Sequence, residues 1–501
     1  MSKDVLLAID QGTSSSRTIG FSAAGEMVAV EQQAFEQIYP ASGWVEHDAE
    51  VIWATVLSTA RRVLQRLAER GLRTAAIGIT NQRETTVLWD RKSGAPIYNA
   101  IVWQDRRTAD RCEALKSARP GGEAELSRKT GLLFDPYFSA TKIAWILDKV
   151  PGARAAAKGG RIAFGTIDSF LLWRLTAGRV HATDATNASR TALYDLRKGC
   201  WDETLCELFD VPRECLPEVR DCAGDFGEVD RSVLGEPLPI RGVAGDQQAA
   251  LIGQACFAAG EVKSTYGTGA FLVLNTAREL VVSKSRLLST VAYRLNGEST
   301  FALEGSILSA GSAIQWLRDG LGLISRAPDV EALAGSVRDS GGVYLVPAFT
   351  GLGAPYWDAN ARAALIGLTR ASSRAEIARA TLDSVVYQTL DLLEAMAADG
   401  LKPALLKVDG GMAMNDLFMQ RLADVLDVAI QRPKIAESTA FGAACLAGLG
   451  CGMYRSLQDI TQLAKSDARF EPRPYDARGG EIAGWRAALA RVRSESRTSA
   501  S

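Results

Sequence analysis

The stretch Val5-Leu6-Leu7-Ala8-Ile9-Asp10-Gln11-Gly12-Thr13-Ser14-Ser15-Ser16-Arg17 joins an apolar run to a polar octet. The apolar run predicts a buried strand, and Gly12 allows a tight turn that brings the backbone close to a ligand. The hydroxyl and N–H groups of residues 13–15 can bind phosphate oxygens. Asp10 repels a phosphate, so its position favours a divalent cation between the two. The octet predicts ATP chemistry; an ordinary turn with Asp10 as cap and Gly12 left-handed is the alternative.

Length and composition predict a soluble enzyme with more than one domain. The chain has 501 residues, 47% of them apolar and 23% charged, with a net charge of −1. A chain of this length exceeds a single core, and this balance offers no basic surface for nucleic acid or anionic membranes. The most apolar small-residue stretch, residues 440–453, is too short and glycine-rich to span a bilayer, and no signal-type N-terminus is present. We expect a cytoplasmic protein.

Cysteine and histidine usage argues against two kinds of site. The eight cysteines form no Cys-x-x-Cys pair, and only two histidines are present. A Cys/His zinc site and a Ser-His-Asp triad are therefore not expected. Buried thiols in a reducing compartment account for the cysteines.

A strand followed by a glycine–threonine turn and a second strand occurs twice, which predicts two similar halves. In the first half we predict strands at residues 5–9, 18–21, 27–33, 75–80 and 85–89, with helices at 49–70 and 106–118. In the second half we predict strands at residues 260–266, 271–275, 290–295 and 299–303, with the turn at Gly267-Thr268-Gly269. Two such halves can close on a phosphate from both sides.

A Gly-Gly step follows a further predicted strand at residues 405–408 and precedes a predicted helix at 416–426. Gly410 and Gly411 would let a base or ribose lie close to the backbone. The alternative is a tight strand-to-helix connection in which Asn415 is the N-cap.

Four clusters predict a second substrate. Arg83 and Glu84 place a donor beside an acceptor that can grip neighbouring hydroxyls, or they form a surface ion pair. The Trp103 ring can form a hydrophobic wall against the carbon skeleton of a small substrate, and Tyr137 offers a ring and a hydroxyl. For each residue the alternative is a packed position in the core. Asp246 follows a predicted strand. It can accept an alcohol proton during phosphoryl transfer, or it can cap the next helix.

Several long sequence motifs follow one another between Val5 and about Met453. They are AIDQGT (8–13), FEQIYP (35–40), GWVEHD (43–48), GITNQRETT (78–86), AGDQQAAL (244–251), TYGTG (265–269) and VPAFTGLGAPYW (346–357). In these strings the chain resembles the FGGY family of carbohydrate kinases, and within it the members that act on glycerol.

The resemblance implies an α/β fold of duplicated actin-like, ribonuclease-H-type ATPase domains with the active site in the cleft between them. It implies an N-terminal domain at residues 1–253 on the glycerol and phosphate side. It also implies a C-terminal domain at residues 254–485 on the nucleotide side. We expect residues 486–501 to be a polar tail.

The resemblance also implies a reaction: ATP plus glycerol gives ADP plus sn-glycerol 3-phosphate, with Asp246 as general base and Asp10 acting through Mg²⁺. By the family pattern, glycerol would be held by Arg83, Glu84, Trp103, Tyr137, Asp246, Gln247 and Phe271. The nucleotide would be bound by Thr13, Ser14, Ser15, Arg17, Thr268, Gly311, Gln315, Gly411 and Asn415. Related kinases form dimers and tetramers, so a homodimer or homotetramer is expected.

Two segments depart from the pattern of the enteric-bacterial members. Residues 227–238 lack the glycine-rich run that binds the inhibitor fructose 1,6-bisphosphate there, and they carry acidic residues instead. Residues 472–480 differ from the surface bound there by the glucose-specific phosphotransferase protein. We expect neither regulator to act strongly on this chain.

Three other functions remain to be weighed against this reading. One is an FGGY kinase for another polyol or sugar, and the strings around Arg83, Trp103 and Asp246 argue against it. Another is an ATP-driven chaperone or filament of the same superfold, which would not need the Arg83–Glu84 and Asp246–Gln247 pairs in its cleft. The last is a catalytically idle sensor, although every expected catalytic position is filled.

Overall fold

Two mixed β-sheets, one from each half of the chain, form the framework of the structure, a computed structural model that describes residues 3–494. The strands of the first half are β1 (Asp4–Gln11), β2 (Ser15–Ser22), β3 (Met27–Ala34), β4 (Glu46–His47), β5 (Arg73–Asn81), β6 (Val87–Asp90), β7 (Ala100–Ile101), β8 (Ile162–Gly165), β9 (Ala182–Asp184), β10 (Tyr194–Asp195), β11 (Cys200–Trp201), β12 (Glu218–Arg220) and β13 (Ile240–Gly245). Its helices are α1 (Ala49–Glu69), α2 (Ala109–Ser117), α3 (Gly122–Thr130), α4 (Ser139–Lys149), α5 (Ala153–Lys158), α6 (Ile167–Leu175), α7 (Ala185–Ala188), α8 (Glu203–Phe209), α9 (Arg231–Leu234) and α10 (Asp246–Gly253).

The second half repeats the pattern. Its strands are β14 (Val262–Tyr266), β15 (Ala270–Ala277), β16 (Leu288–Leu295), β17 (Glu298–Ile307), β18 (Tyr344–Val346), β19 (Ala364–Ile366), β20 (Leu405–Asp409), β21 (Ala429–Pro433) and β22 (Ser466–Phe470). Its helices are α11 (Gly311–Asp319), α12 (Asp329–Gly335), α13 (Arg374–Ala398), α14 (Asp416–Leu426), α15 (Ser438–Gly450), α16 (Leu457–Leu463) and α17 (Arg478–Val492). Short 3-10 turns occur at Arg213–Cys215 and Gly411–Met414.

Both sheets are built around the same three-strand unit. The first sheet has the order β13-β5-β1-β2-β3, and β1 pairs antiparallel with β2 and parallel with β5. The second has the order β16-β17-β15-β14-β20-β21-β22, and β14 pairs antiparallel with β15 and parallel with β20. The turns after β1 and β14 therefore occupy equivalent places, which confirms the predicted duplication.

Most of the predicted elements are present with shifted ends. The helix predicted at residues 416–426 is α14, and Asn415 is its N-cap, because the Asn415 side chain accepts the Phe418 N–H. The helix predicted at 106–118 begins only at Ala109, since Arg106 and Arg107 lie in a turn and pair with Asp135 and Asp105. Asp246 is not an N-cap: it is the first residue of α10, and Gly245 precedes it as the cap.

Two helices lie between the sheets, and each covers apolar surface of the opposite half. Helix α15 belongs to the second half but packs on β1, β5 and β13, while α10 packs on β14–β16. The helices touch through small residues: a Cβ added at Gly442 would lie 1.7 Å from the Ala249 carbonyl oxygen. The core between them therefore mixes residues of both halves, including Leu6, Ala8, Phe21, Val273, Ala292 and Ala302.

The chain end differs from the expected polar tail. Helix α17 continues to Val492, and Trp485, Leu489 and Val492 are buried in the core of the second half. The Trp485 Nε1 donates to the Asp391 carboxylate at 3.0 Å. The expectation of a tail from residue 486 is therefore wrong for residues 486–492, because their apolar positions recur on one helical face. Residues 495–501 lie outside the described part of the chain. No helix among residues 3–494 has the length and apolarity to cross a membrane.

Candidate active site

The turn after β1 exposes polar groups at the cleft between the halves. The Gly12 N–H donates to the Ser15 carbonyl at 2.9 Å, and Ser14 is exposed. Gly12 does not have the positive φ that the ordinary-turn alternative requires. Arg17, on β2, forms an ion pair with Glu437 of the second half. The octet thus presents hydroxyls and one guanidinium to the cleft.

The equivalent turn after β14 is joined to the N-terminus of α11. The Gly311 N–H donates to the Gly267 carbonyl at 2.9 Å, and the Ser312 N–H donates to the Thr268 carbonyl at 3.1 Å. A Cβ at Gly311 would lie 2.5 Å from the Gly267 oxygen, so only glycine allows this approach. Gln315 is exposed one turn further along α11. Because the Gly311 and Ser312 N–H groups are already bonded, a phosphate here would meet the positive end of the α11 dipole and not free N–H donors.

The Gly-Gly step after β20 lies beside the turn after β14, on the same side of the cleft. Gly410 has φ 89° and lies against the backbone of Tyr266, where a Cβ would be 2.4 Å from the carbonyl oxygen. Gly411 is exposed, and a Cβ there would meet no atom within 4 Å. Asn415 follows as the N-cap of α14. Backbone and open space, rather than side chains, form this face.

Arg83 is at the centre of the opposite wall. It follows β5, is 2% exposed, and donates from Nη2 to the Glu304 carboxylate at 2.9 Å. Its Nε lies 3.3 Å from the Asp246 carboxylate. Gly245 makes this approach possible, because a Cβ there would lie 2.7 Å from the Arg83 Cγ. The surface ion pair considered for Arg83 and Glu84 is therefore wrong, since both side chains are buried.

Glu84 is fixed by the same buried network. Its carboxylate accepts from Arg190 Nε at 2.6 Å, and Arg190 Nη2 donates to Glu304 at 3.1 Å. Glu84 has φ 57°, and its carbonyl accepts from the Ser139 hydroxyl at 3.0 Å. Two carboxylates and two guanidiniums alternate here, so each charge has a partner when removed from water.

Aromatic rings close the pocket above these charges. The Trp103 ring meets Tyr137 edge-on at 5.7 Å between centroids and Phe271 at 5.8 Å. Trp103 Nε1 donates to the Thr13 hydroxyl at 3.0 Å, which ties the wall to the octet turn. Trp103 is half-buried, so it is a wall residue and not an enclosed core tryptophan.

Asp246 and Asp10 are the carboxylates where the two walls meet. Burial raises the pKa of Asp246, and the charges of Arg83 and Lys263 oppose the rise. Burial raises the pKa of Asp10 to about 7; Arg17 lowers it, and the charges of Asp246 and Glu437 add to the rise. A hard divalent cation suits this donor set, because it would relieve the repulsion among the carboxylates. Among residues 3–494, no three His, Cys, Asp or Glu side chains are grouped to hold a metal.

The seven predicted acceptor-side residues therefore lie together. All seven acceptor-side residues are linked by contacts through Arg83, Trp103 and the Asp246–Gln247 pair. Sequence reasoning missed four residues that contact them: Arg190, Lys263, Glu304 and Glu437. None of the four stands in a recognisable motif, since each reaches the site only through the fold.

Comparison with known proteins identifies the family of the chain. The model of the FGGY carbohydrate kinase N-terminal domain matches residues 5–253, and that of the C-terminal domain matches residues 262–451. The chain is 59% identical to glycerol kinase 1 of Pseudomonas aeruginosa, covering 98% of this chain and 99% of that protein. It is 57% identical to glycerol kinase of Rhodospirillum centenum, covering 98% of both chains.

Solved structures show the same fold over the whole chain. Plasmodium falciparum glycerol kinase with ADP superposes with a TM-score of 0.91 at 36% identity, covering 98% of both chains. Gluconate kinase from Lactobacillus acidophilus, at 22% identity, shares the fold with a TM-score of 0.84. The predicted two-domain α/β kinase architecture is confirmed, and the chain belongs to the FGGY family of carbohydrate kinases.

Proposed function

We propose that this chain transfers the γ-phosphoryl group of ATP to glycerol and releases ADP and sn-glycerol 3-phosphate. The observation that carries the proposal is that direct contacts join all seven acceptor-side residues. Relatives at 57–59% identity over almost their full length are glycerol kinases, which supports the same substrate here.

The pocket suits a small polyol. Glycerol presents hydroxyls on three adjacent carbons, so it needs several fixed polar partners and an apolar wall. Arg83, Glu84 and Asp246 supply the first, and Trp103 with Phe271 supplies the second. A buried site matched to hydroxyls rejects molecules that lack them, because its polar groups would be left unpaired.

Asp246 is the proposed general base. Its side chain is 30% exposed, so it can reach an acceptor hydroxyl, and Arg83 at 3.3 Å helps to keep it ionised. A carboxylate is a weak base, but a loose transition state releases the proton late and does not need a stronger one. The hydroxyl oxygen bonds to the γ-phosphorus as the bond from that phosphorus to the bridging oxygen breaks and the bridging oxygen leaves with ADP, and the proton moves to a carboxylate oxygen of Asp246.

ATP is proposed to lie between the octet turn of the first half and the glycine turns of the second half. Thr13, Ser14, Ser15 and Arg17 would contact its phosphates from one side, with Thr268 and Gly311 facing them from the other. Gln315, Gly411 and Asn415 would border the base and ribose. Mg²⁺ held through Asp10 and the phosphates would neutralise charge during transfer. Closure of the halves would exclude water, which otherwise competes as acceptor.

The proposal is tested by measuring ATP consumption with glycerol, xylulose, gluconate and no acceptor, each with and without Mg²⁺. Mg²⁺-dependent turnover with glycerol alone is the expected result. Turnover with xylulose or gluconate instead would indicate another FGGY kinase. Equal turnover without any acceptor would indicate an ATP-driven binding protein of the same superfold. We further propose a cytoplasmic homodimer or homotetramer, to be checked by light scattering.

A further inference from the structure

Lys263 is a fully enclosed lysine behind the acceptor pocket. It lies on β14, in the middle of the second sheet, and its side chain is 0% exposed. Burial of an ammonium is costly unless hydrogen bonds and opposite charges compensate it. Lys263 Nζ donates to the Gln247 Oε1 and, at 3.0 Å, to the Thr265 hydroxyl. The lysine therefore joins the second sheet to the first residues of α10.

The contact with Lys263 settles which way the Gln247 amide faces. An ammonium has three donors and no acceptor, so only the amide oxygen can lie against it. The amino group of Gln247 must then turn away from Lys263. The Gln247 side chain and backbone N–H both act on the neighbouring Asp246 carboxylate and lower its pKa. The backbone N–H donates to Asp246 at 2.7 Å.

We propose that Lys263 is a positioning residue of the phosphoryl-acceptor site: it fixes the Gln247 amide so that the amino group faces Asp246 and the acceptor hydroxyl. This inference rests on the proposed function and names a residue that acts through Gln247 without touching substrate. Without the ammonium, the amide can rotate, and either its oxygen or its amino group can face the carboxylate. An oxygen in that position would repel the Asp246 carboxylate and compete with it for the hydroxyl proton.

A purely structural role is the competing explanation. Lys263 also faces Asp409, a buried carboxylate on β20, as well as Glu304 and Arg83. If Lys263 only balances the charge of Asp409, its loss should weaken the fold and leave acceptor recognition untouched once the protein is folded. The two roles therefore differ in whether Lys263 and Gln247 are energetically coupled.

The test is a double-mutant cycle with Lys263→Met, Gln247→Leu and the double variant. We expect each single change to lower kcat/KM for glycerol by about 10²-fold, the cost of a misplaced reacting group. The double variant should be no worse than the poorer single variant, and KM for ATP should stay within about twofold. Multiplicative losses in the double variant, or equal effects on glycerol and ATP, would overturn the inference.

Lys407→Met is the matched control. Lys407 is paired in register with Lys263 on the neighbouring strand, and its ammonium donates to the Gln254 and Ala255 carbonyls at 3.0 Å, outside the pocket. Its loss should leave kcat/KM for glycerol unchanged. A wild-type enzyme inactive with glycerol would overturn the proposed function and this inference with it. An active wild type with additive losses overturns only the inference.

If Lys263→Met does not fold, the pH profiles of the wild-type enzyme and of Gln247→Leu test the inference instead. Burial lowers the pKa of Lys263 to about 8, while the charges of Asp409, Asp246 and Glu304 oppose the shift and Arg83 adds to it. The wild-type kcat/KM for glycerol should fall as pH rises through about 8, because the charged ammonium is the active form, and Gln247→Leu should lack this limb. A wild-type profile that is flat to about pH 9.5 would overturn the inference.

Discussion

The two walls of the cleft differ in composition: one consists of side chains and the other of backbone. The acceptor wall consists of long side chains that are buried and fixed by one another, with Arg83, Glu84, Arg190 and Glu304 in a single ion network. The nucleotide wall consists of glycine turns whose backbones touch, and of open space at Gly411. A small polyol offers only hydroxyl groups, so rigid polar side chains must recognise it. Phosphates are large anions that backbone N–H groups can bind, provided that the chain comes close enough.

Asp246→Asn should have the largest effect, because it changes the acceptor wall at the reacting atoms. The amide has nearly the shape of the carboxylate but cannot take the proton, so kcat should fall by about 10²- to 10⁴-fold. Glycerol binding, measured by calorimetry, should change little. Asp225→Asn, at an exposed partner of Arg241, is the control. Retained turnover would remove Asp246 from the role of base.

Glu304→Gln should destabilise the acceptor wall as a whole. Glu304 is 0% exposed and pairs with both Arg83 and Arg190, so its neutralisation leaves two buried cations short of charge. We expect the free energy of unfolding in urea to fall by about 3–5 kcal/mol and KM for glycerol to rise.

Asp383→Asn is the matched control for Glu304→Gln. Asp383 also joins two buried arginines, Arg379 and Arg421, and neither is a predicted site residue. The Asp383→Asn variant should lose a comparable free energy of unfolding, and its KM for glycerol should be unchanged. If both variants shift that KM equally, the acceptor effect of Glu304 is only a consequence of lower stability.

Gly411→Ala should affect only the nucleotide wall. A Cβ at Gly411 meets no protein atom within 4 Å and needs no positive φ, so the fold should tolerate it. A methyl group in the space for the nucleotide should raise KM for ATP by about 10-fold and leave glycerol binding unchanged. Gly479→Ala, equally open but on α17, is the control. An unchanged KM for ATP would place the nucleotide elsewhere.

Glu437→Gln should have a smaller effect of opposite sign. Glu437 holds Arg17, a proposed phosphate contact, in a partly exposed ion pair, so it competes with ATP for the guanidinium. Its neutralisation should tighten ATP binding by up to about fivefold, most clearly at low salt. Glu298→Gln, which breaks an exposed pair with Arg278, is the control. Weaker ATP binding would mean that Glu437 aligns Arg17 instead of competing for it.

Fructose 1,6-bisphosphate should have no measurable effect on either wall. Two arginines beside residues 227–238 are already paired: Arg179 with Asp230, and Arg241 with Asp225 at 2.6 Å. A bisphosphate would have to compete with these carboxylates for both guanidinium groups. An inhibition titration that shows a clear loss of activity would contradict this prediction.

The sequence was enough to propose those candidate site residues that stand in contiguous motifs. The octet at Asp10, the Arg83–Glu84 pair and the Asp246–Gln247 pair each lie at the end of a strand or just after it, and their residue types already indicate phosphate and hydroxyl chemistry. The partners that fix them could not be found in this way. Glu304 meets Arg83 across 221 positions of the chain, and no local pattern encodes that distance.

The chain end was missed for another reason. Trp485, Leu489 and Val492 have helical spacing, but arginines lie between them and give the segment the composition of a tail. Periodicity would have been the better guide than polarity. Lys263 was missed because an isolated lysine in a strand is more often exposed; only the sheet order shows that it is enclosed.

The exchange of α10 and α15 between the halves has a consequence for biosynthesis. The inner face of the first sheet is covered by a helix that ends at Gly450, so it stays bare on the ribosome until nearly the whole chain has been made. The first half therefore cannot complete its core while the second is still being synthesised. During that interval Leu6, Ala8 and Phe21 are open to non-native contacts, which favour aggregation of an incomplete chain.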